Sequence, residues 1–333
     1  PWLLTRFIAV KDFLLISMGK TGGFSLLEKV FATDEYSKED LEYMAKVFRF
    51  ISYKTIWRTF ESCNNYRMPE GTIEYLGKLE YWYGDKERKE RAKDLNDMFS
   101  DKEIKAIFTL KGGDMVNGIL PYIDFENIKD NPKIFLGMSD ITVLLCAINK
   151  MTELVTFHCQ DYIWFGKDEV TDYDKNEIIE KLFNGNKKIN PYGERKFYEF
   201  NKEEIKGKIY GTNARCLLKL LGTPFMPDLE DTVLFLEGFH SNIIQWNAML
   251  EQYNQINAFN RAVVFGYIYQ LQQIEENEKM IVDELRKINS SVPVVKTNDF
   301  GHMHANSIIP IAAEVIINAN NQSIVVSEYL KYK

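Results

Sequence analysis

The sequence predicts an α/β protein of two domains. The N-terminal domain is expected to be a parallel sheet covered on both faces by helices, with a sharp strand-to-helix turn suited to a nucleophile. The C-terminal domain is expected to be smaller and mixed α/β. Three observations predict this. Short apolar runs of strand length alternate with segments of helical period, the pattern of parallel strands joined by crossover helices. Several runs stop at glycine, as in "FLGMSD" (135–140) and "TLKGGD" (109–114). Residues 166–206 then change to charge, Asn and Gly, and the chain is expected to divide there. The expected parts are 1–165, a linker close to substrate at 166–206, and 207–333.

The elements follow in order. "KDFLLISMG" (11–19) reads as a strand and 24–31 as a short helix, while 38–62 alternates charge and aromatics without a clear period. Residues 86–101 read as a helix with a heavily charged face; Ala92, Leu95, Met98 and Phe99 fall on one side. A strand at 104–110 ends at Gly112-Gly113, and another runs over 132–138. The helix at 141–151 is apolar nearly all round, so it should be buried, and a short strand follows at 154–157. Beyond 206 the pattern predicts helices at 213–221, 242–259 and 278–289. Strands are expected at 232–237, 261–268, 292–296, "IIPIAAEVII" (308–317) and 323–328.

Composition narrows the function. The chain has 333 residues, 45% of them hydrophobic, enough for a sizeable core. A net charge of −7 and a pI near 5.4 argue against nucleic acid or an anionic membrane as partner, since both select basic surfaces. No apolar run reaches transmembrane length. The apolar N-terminus carries Arg6, Lys11 and Asp12 and lacks a small-residue cleavage site, so a signal peptide is not expected. Cys63, Cys146, Cys159 and Cys216 are scattered without a CxxC pair, which suits a reducing, cytoplasmic setting.

Several residues could carry chemistry. Ser139 stands between an apolar strand and an apolar helix. There it could cap the helix, or it could project as a nucleophile with the following N–H groups aimed at an oxyanion. Ile141 stands where the GxSxG elbow has its second glycine, so local pattern alone favours the cap. A serine nucleophile needs a base, and the histidines are His158, His240, His302 and His304. His302 and His304 share the loop "TNDFGHMHANS" (297–307), where they suit a general base; with Asp299 they could also approach a metal. Glu237 ends the apolar strand "TVLFLE", an expensive place for a carboxylate unless it is paired. Gly112 and Gly113 follow a strand directly, where glycines let backbone N–H groups approach an anion. Gly19-Lys20-Thr21 resembles the end of a phosphate-binding loop, but Leu14 replaces its first glycine. Trp164 could flank a substrate.

Three segments, 112–142, 211–238 and 292–314, resemble in order and context the LD-carboxypeptidase family of serine peptidases. The lead-in "LPYIDFENIKDNPKIF" is most similar to the family's microcin-immunity branch. The resemblance implies Ser139 as nucleophile, Glu237 as acid and His302 as base. It implies an oxyanion hole from the Gly113 and Asp140 N–H groups beside Gly112, with Asn213 close to the site. It implies no metal or cofactor, a small peptide or peptidyl-nucleotide substrate, and a homodimer. The pattern departs at Met303-His304 after the histidine, at Ala312 in "PIA", and at Gly238-Phe239-His240 after the acid. Those departures leave open a binding module on the same scaffold.

Overall fold

The computed structural model describes residues 85–166, 169–239, 241–273, 277–327 and 329–330. The expected strand at 11–19, the helix at 24–31, the ambiguous 38–62 stretch, Gly19-Lys20-Thr21, Cys63 and His240 lie outside them. The chain divides into two compact units, 1–82 with 163–170, and 83–162 with 171–333. Every element below belongs to the second unit. The first contributes to the described part residues within 163–170, most of the short 3-10 turn Tyr162–Gly166 among them, in which Trp164 is buried.

The second unit opens with α1 (Asp85–Ser100), whose Ala92, Leu95 and Phe99 are buried as the apolar side predicts. β1 (Ala106–Phe108), a 3-10 turn Val116–Tyr122 and α2 (Phe125–Asp130) follow. Then come β2 (Ile134–Gly137), the 3-10 turn Ser139–Ile141, α3 (Thr142–Thr152) and β3 (Thr156–His158). α3 is buried continuously from Thr142 to Asn149, which explains why no polar face shows in its sequence. α4 (Asp172–Ile178) starts with a Thr171/Asp174 capping box and runs into a π-helical turn, Ile179–Phe183. After it stand β4 (Lys196–Tyr198), β5 (Glu204–Asn213), α5 (Ala214–Leu218), β6 (Thr232–Gly238), α6 (Ile243–Gln255) and β7 (Ala262–Ile268). The chain closes with α7 (Tyr269–Gln272), α8 (Asn277–Ile288), β8 (Val294–Gly301), β9 (Ile309–Ile311), β10 (Glu314–Asn318) and β11 (Ser323–Val326).

The strands form two sheets. One has the order β1-β2-β3-β9, parallel except for β9. The other has the order β11-β10-β5-β6-β7-β8-β4, and its centre, β5 to β8, is parallel. Of these, β6 and β7 read as nearly continuous apolar runs because both faces are covered; all of β6 is buried.

One expectation changes. The run 308–317 is not one strand. It breaks at Ala312, where φ is +69°, so Ile309–Ile311 joins the first sheet and Glu314–Asn318 the second. A continuous apolar run carries no mark of such a break, and the family glycine that would mark it is replaced by Ala312. The charge-rich 166–206 stretch holds buried carboxylates. Asp174 and Glu177 of α4 are buried and hold the chain after His302: Asp174 accepts from the Asn306 N–H at 2.9 Å, and Glu177 from the Ser307 hydroxyl at 2.6 Å.

Phe265, on central β7, has no exposed surface, whereas Ile244 on α6 is 76% exposed. Phe265→Ala should cost about 3–5 kcal/mol in urea unfolding, and Ile244→Ala should stay within roughly 0.5 kcal/mol of the parent.

Candidate active site

The predicted residues collect at the carboxyl ends of parallel strands, where open α/β sheets place their sites. β2 ends just before Ser139. β5 ends at Asn213, β6 at Gly238 just after Glu237, and β8 at Gly301 just before His302.

Ser139 is not the helix cap that local pattern favours. Its φ is +58°, in the left-handed region, and neither its own 3-10 turn nor α3 has a side-chain cap. A cap residue holds extended backbone, whereas a positive φ at a non-glycine residue stores strain of the order of 1 kcal/mol. Such a sharp turn sets the Ser139 side chain apart from its strand. Gly137 makes the turn possible: a Cβ there would lie 2.7 Å from the Ile141 side chain. Gly112 lies directly against the serine. A Cβ on Gly112 would be 2.5 Å from Ser139 Cβ, 3.0 Å from its Oγ and 3.3 Å from the Asp140 nitrogen. Gly113 instead borders open space.

The Asp140 side chain has a separate task. It is buried, pairs with Lys219 at 2.6 Å and accepts from the Val116 N–H at 2.8 Å. Lys219 and Arg215 also hold Asp114, just beyond the glycines. The loop 112–116 is thereby fastened over the serine turn. The sequence offered no signal for Lys219, one lysine among many.

Glu237 and His302 meet. His302 Nδ1 lies 2.6 Å from Glu237 Oε2, and Asn213 Nδ2 donates to Oε1 at 2.9 Å. Asn213 stands directly across the β5–β6 ladder from Glu237. Its amide serves both ends, because Oδ1 accepts from the Cys216 N–H and caps α5. Burial pushes the Glu237 carboxyl up, but the His302 charge and hydrogen bond, with smaller help from His158 and Asn213, outweigh it and hold it below the usual carboxylate range. Phe239 lies flat on the imidazole, ring centres 4.6 Å apart and planes 10° apart. The departure after Glu237 thus supplies a ring stacked on His302.

His302 projects because β8 bulges. Phe265 pairs with Lys296 and Tyr267 with Gly301, so Thr297 to Phe300 stand opposite Gly266. Only glycine fits at 266, where a Cβ would meet the Phe300 carbonyl oxygen. The buried Lys296 ammonium fills the gap, donating to Gly266 O at 3.1 Å, Thr297 O at 2.5 Å and Asn298 Oδ1 at 2.9 Å. Burial pushes its pKa down to about 7. The histidine-aspartate set considered for a metal does not converge. Asp299 is held by Arg195 at 2.7 Å and the Tyr192 N–H at 2.6 Å, and His304 packs between Tyr267 and Tyr192.

Further buried groups, unmarked in the sequence, join the two turns. Thr142, at the start of α3, accepts from the Asn213 N–H at 3.2 Å and touches the Thr212 hydroxyl at 3.2 Å. Thr212 reaches His158 Nδ1 at 2.7 Å, and His158 Nε2 lies 3.2 Å from Asn306 Oδ1. Trp164 belongs to the other compact unit and enters none of these contacts.

Burial pushes His158 down to about 4 from its ordinary 6.5. The unfolded chain therefore takes up that proton first. Stability contributed by neutral His158 is whole above 6.5 and is lost as pH falls from 6.5 toward 4. His158→Gln should remove about 2 kcal/mol of the stability difference between pH 7 and pH 5, read from urea midpoints at the two values.

Comparison with known proteins comes to the same place. Residues 45–159 match the model of the LD-carboxypeptidase N-terminal domain, and residues 206–317 match that of the C-terminal domain. A Bacillus subtilis protein named "Probable murein peptide carboxypeptidase" is 28% identical over 247 residues, 71% of this chain and 76% of its own. The microcin C7 self-immunity protein MccF of Escherichia coli is 26% identical over 274 residues, 72% of this chain and 78% of its own. A solved structure of MccF in complex with glutamyl sulfamoyl guanosine superposes with a TM-score of 0.65 at 22% identity, covering 76% of this chain and 85% of that one. An MccF-like protein from Bacillus anthracis superposes with a TM-score of 0.63 at 27% identity, covering 72% and 82%. The α/β fold class and the family resemblance read from the sequence are both borne out. Among the described residues, no helix is long and apolar enough to cross a membrane.

Proposed function

We propose, since this chain belongs to the LD-carboxypeptidase family of serine peptidases, that it hydrolyses an amide with Ser139 as nucleophile, His302 as base and Glu237 as the acid that orients the base. The observation that carries this reading is the buried 2.6 Å Glu237–His302 pair, joined through Asn213 and Thr142 to a turn holding Ser139 at positive φ beneath Gly112.

His302 Nδ1–H donates to Glu237, which leaves Nε2 to take the Ser139 proton as Oγ attacks the carbonyl carbon. The oxyanion that forms accepts from the Gly113 and Asp140 N–H groups, each worth roughly 3 kcal/mol in the transition state. The imidazolium then gives its proton to the leaving amine. Water, deprotonated by the same imidazole, releases the acyl group from Ser139. Side chains and backbone N–H groups do all of this work.

Two substrates suit the reading. One is a murein tetrapeptide, cut at its L,D-amide to release D-Ala; the Bacillus subtilis relative's name supports it. The other is a peptidyl or aminoacyl nucleotide, supported by the sulfamoyl nucleotide bound to MccF. On the same reading the protein is a cytoplasmic homodimer that serves peptidoglycan recycling or antibiotic resistance, and Trp164 flanks the substrate. Its domains are 1–165 and 207–333, a division supported by the family-model spans 45–159 and 206–317.

A mass-spectrometric cleavage assay tests this, with murein tetrapeptides and an aminoacyl-sulfamoyl adenosine as substrates. Loss of D-Ala or release of free amino acid identifies the substrate, and Ser139→Ala should lower kcat by about 10⁴-fold or more with the fold intact. Equal turnover by wild type and Ser139→Ala would sink the assignment. Binding without turnover in both would make the protein a binding module. Gly112→Ala, whose methyl would strike Ser139, should cost on the order of 100-fold in kcat, while Gly113→Ala should stay within about 3-fold.

A further inference from the structure

His158 takes no part in the hydrolysis just described, yet with a single ring proton its hydrogen bonds have one consistent direction. The Gly301 N–H can only donate, so the Asn306 atom 2.7 Å away is its acceptor Oδ1. The other end of that amide, Nδ2, then faces two acceptors, Gly301 O at 2.8 Å and His304 O at 3.1 Å. The Asn306 side chain is fixed in one orientation. His158 Nε2 lies 3.2 Å from the same Oδ1 and must donate to it. With its proton on Nε2, His158 accepts at Nδ1 from the Thr212 hydroxyl, 2.7 Å away. Thr212 has then used its proton, so the 3.2 Å contact with Thr142 is donated by Thr142. Thr142 in turn accepts the Asn213 N–H. Each hydroxyl donates once and accepts at least once.

The two ends of this line matter for the reaction. Thr142 begins the helix that follows the Ser139 turn. Asn306 clamps both backbone groups of Gly301, the residue before His302. That turn needs an external hold, because φ is +141° at Gly301 and +55° at Met303, on either side of the base. His158 itself is fully buried, at the carboxyl end of β3 between the two turns.

We infer that His158 is a positioning residue for the proposed hydrolysis: protonated at Nε2 only, it holds Asn306 and through it the His302 turn in register with the Ser139 turn. The inference rests on the proposed function. A ring with two protons would drive the line backwards, from His158 toward Thr142. Burial disfavours that form. A leucine at 158 leaves Thr212 and Asn306 without this partner, and the turn presenting His302 loses one of its holds. A glutamine carries one donor and one acceptor on a similar frame and restores both bonds.

The test has two independent readouts on the full chain. The first is the 15N NMR signature of His158 in wild type, assigned by its loss in His158→Gln; the expected state carries the proton on Nε2. The second is steady-state kinetics on whichever amide substrate wild type cleaves. His158→Leu should lower kcat by about 100-fold with KM within about 3-fold, the scale of a misplaced base. His158→Gln should recover kcat to within about 10-fold of wild type. A proton on Nδ1 would overturn the inference, as would full kcat in a folded His158→Leu protein. A loss confined to KM, or one that glutamine leaves equally deep, would also overturn it. If leucine prevents folding, the wild-type 15N spectrum and the glutamine variant decide. If wild type cleaves no panel member, the proposed function has failed, while the 15N spectrum still reads the hydrogen-bond line.

Discussion

The buried carboxylate of Glu237 is the constraint on which the rest of the site depends. It sits without exposure at the end of a fully buried strand, where an unpaired charge would cost several kcal/mol. Its two oxygens are met from two other strand ends, one by Asn213 at the end of adjacent β5 and one by His302 just after β8, two strands away. That arrangement requires parallel strands whose carboxyl ends lie side by side, with Asn213 in register with Glu237. A shift of one residue would turn Asn213 to the opposite face and leave the carboxylate half satisfied.

The placing of His302 needs more than strand order. His302 leaves β8 through a bulge opposite Gly266, and a bulge of that size strips the ladder of its hydrogen bonds. Lys296 replaces them with an ammonium donating to three oxygens. Beyond His302 the chain is fastened by Asp174 and Glu177 of α4 before β9 crosses to the first sheet and pairs with β3. The segment that carries His302 is therefore anchored in both sheets, and β3 ends at His158. One hydrogen-bonded line through that histidine joins the Ser139 turn to the His302 turn. Polar groups buried this deeply are stabilising only if every member is satisfied, so the line also restricts which side chains the interior will accept.

Much of the fold was legible in the chain, for a local reason. The helices at 85–100 and 142–152 and the strands at 232–238 and 262–268 sit within a few residues of where periodicity and apolar runs put them. Burial imposes those patterns directly on the sequence. Errors fell where the decisive quantity is not local. The break at Ala312 depends on which sheet each half of the run joins, and the burial of Asp174 and Glu177 depends on backbone donors more than a hundred residues away. Ser139 shows the same limit at one residue. Serine before a buried helix reads as a cap, and only the backbone conformation separates a cap from a turn that sets the side chain apart.

By itself the sequence determined the fold class, the family, and the residue types at three strand ends, because apolar periodicity and short motifs are written in consecutive residues. It could not join them. The Glu237–His302 contact spans 65 positions and the His158–Asn306 contact 148. The tertiary structure decided that Phe239 stacks on His302, that Lys219 pairs with Asp140, and that His158 lies between the two turns. Each of these follows from strand order and register, which bring distant side chains within hydrogen-bonding or stacking distance and leave no spacing in the chain to read.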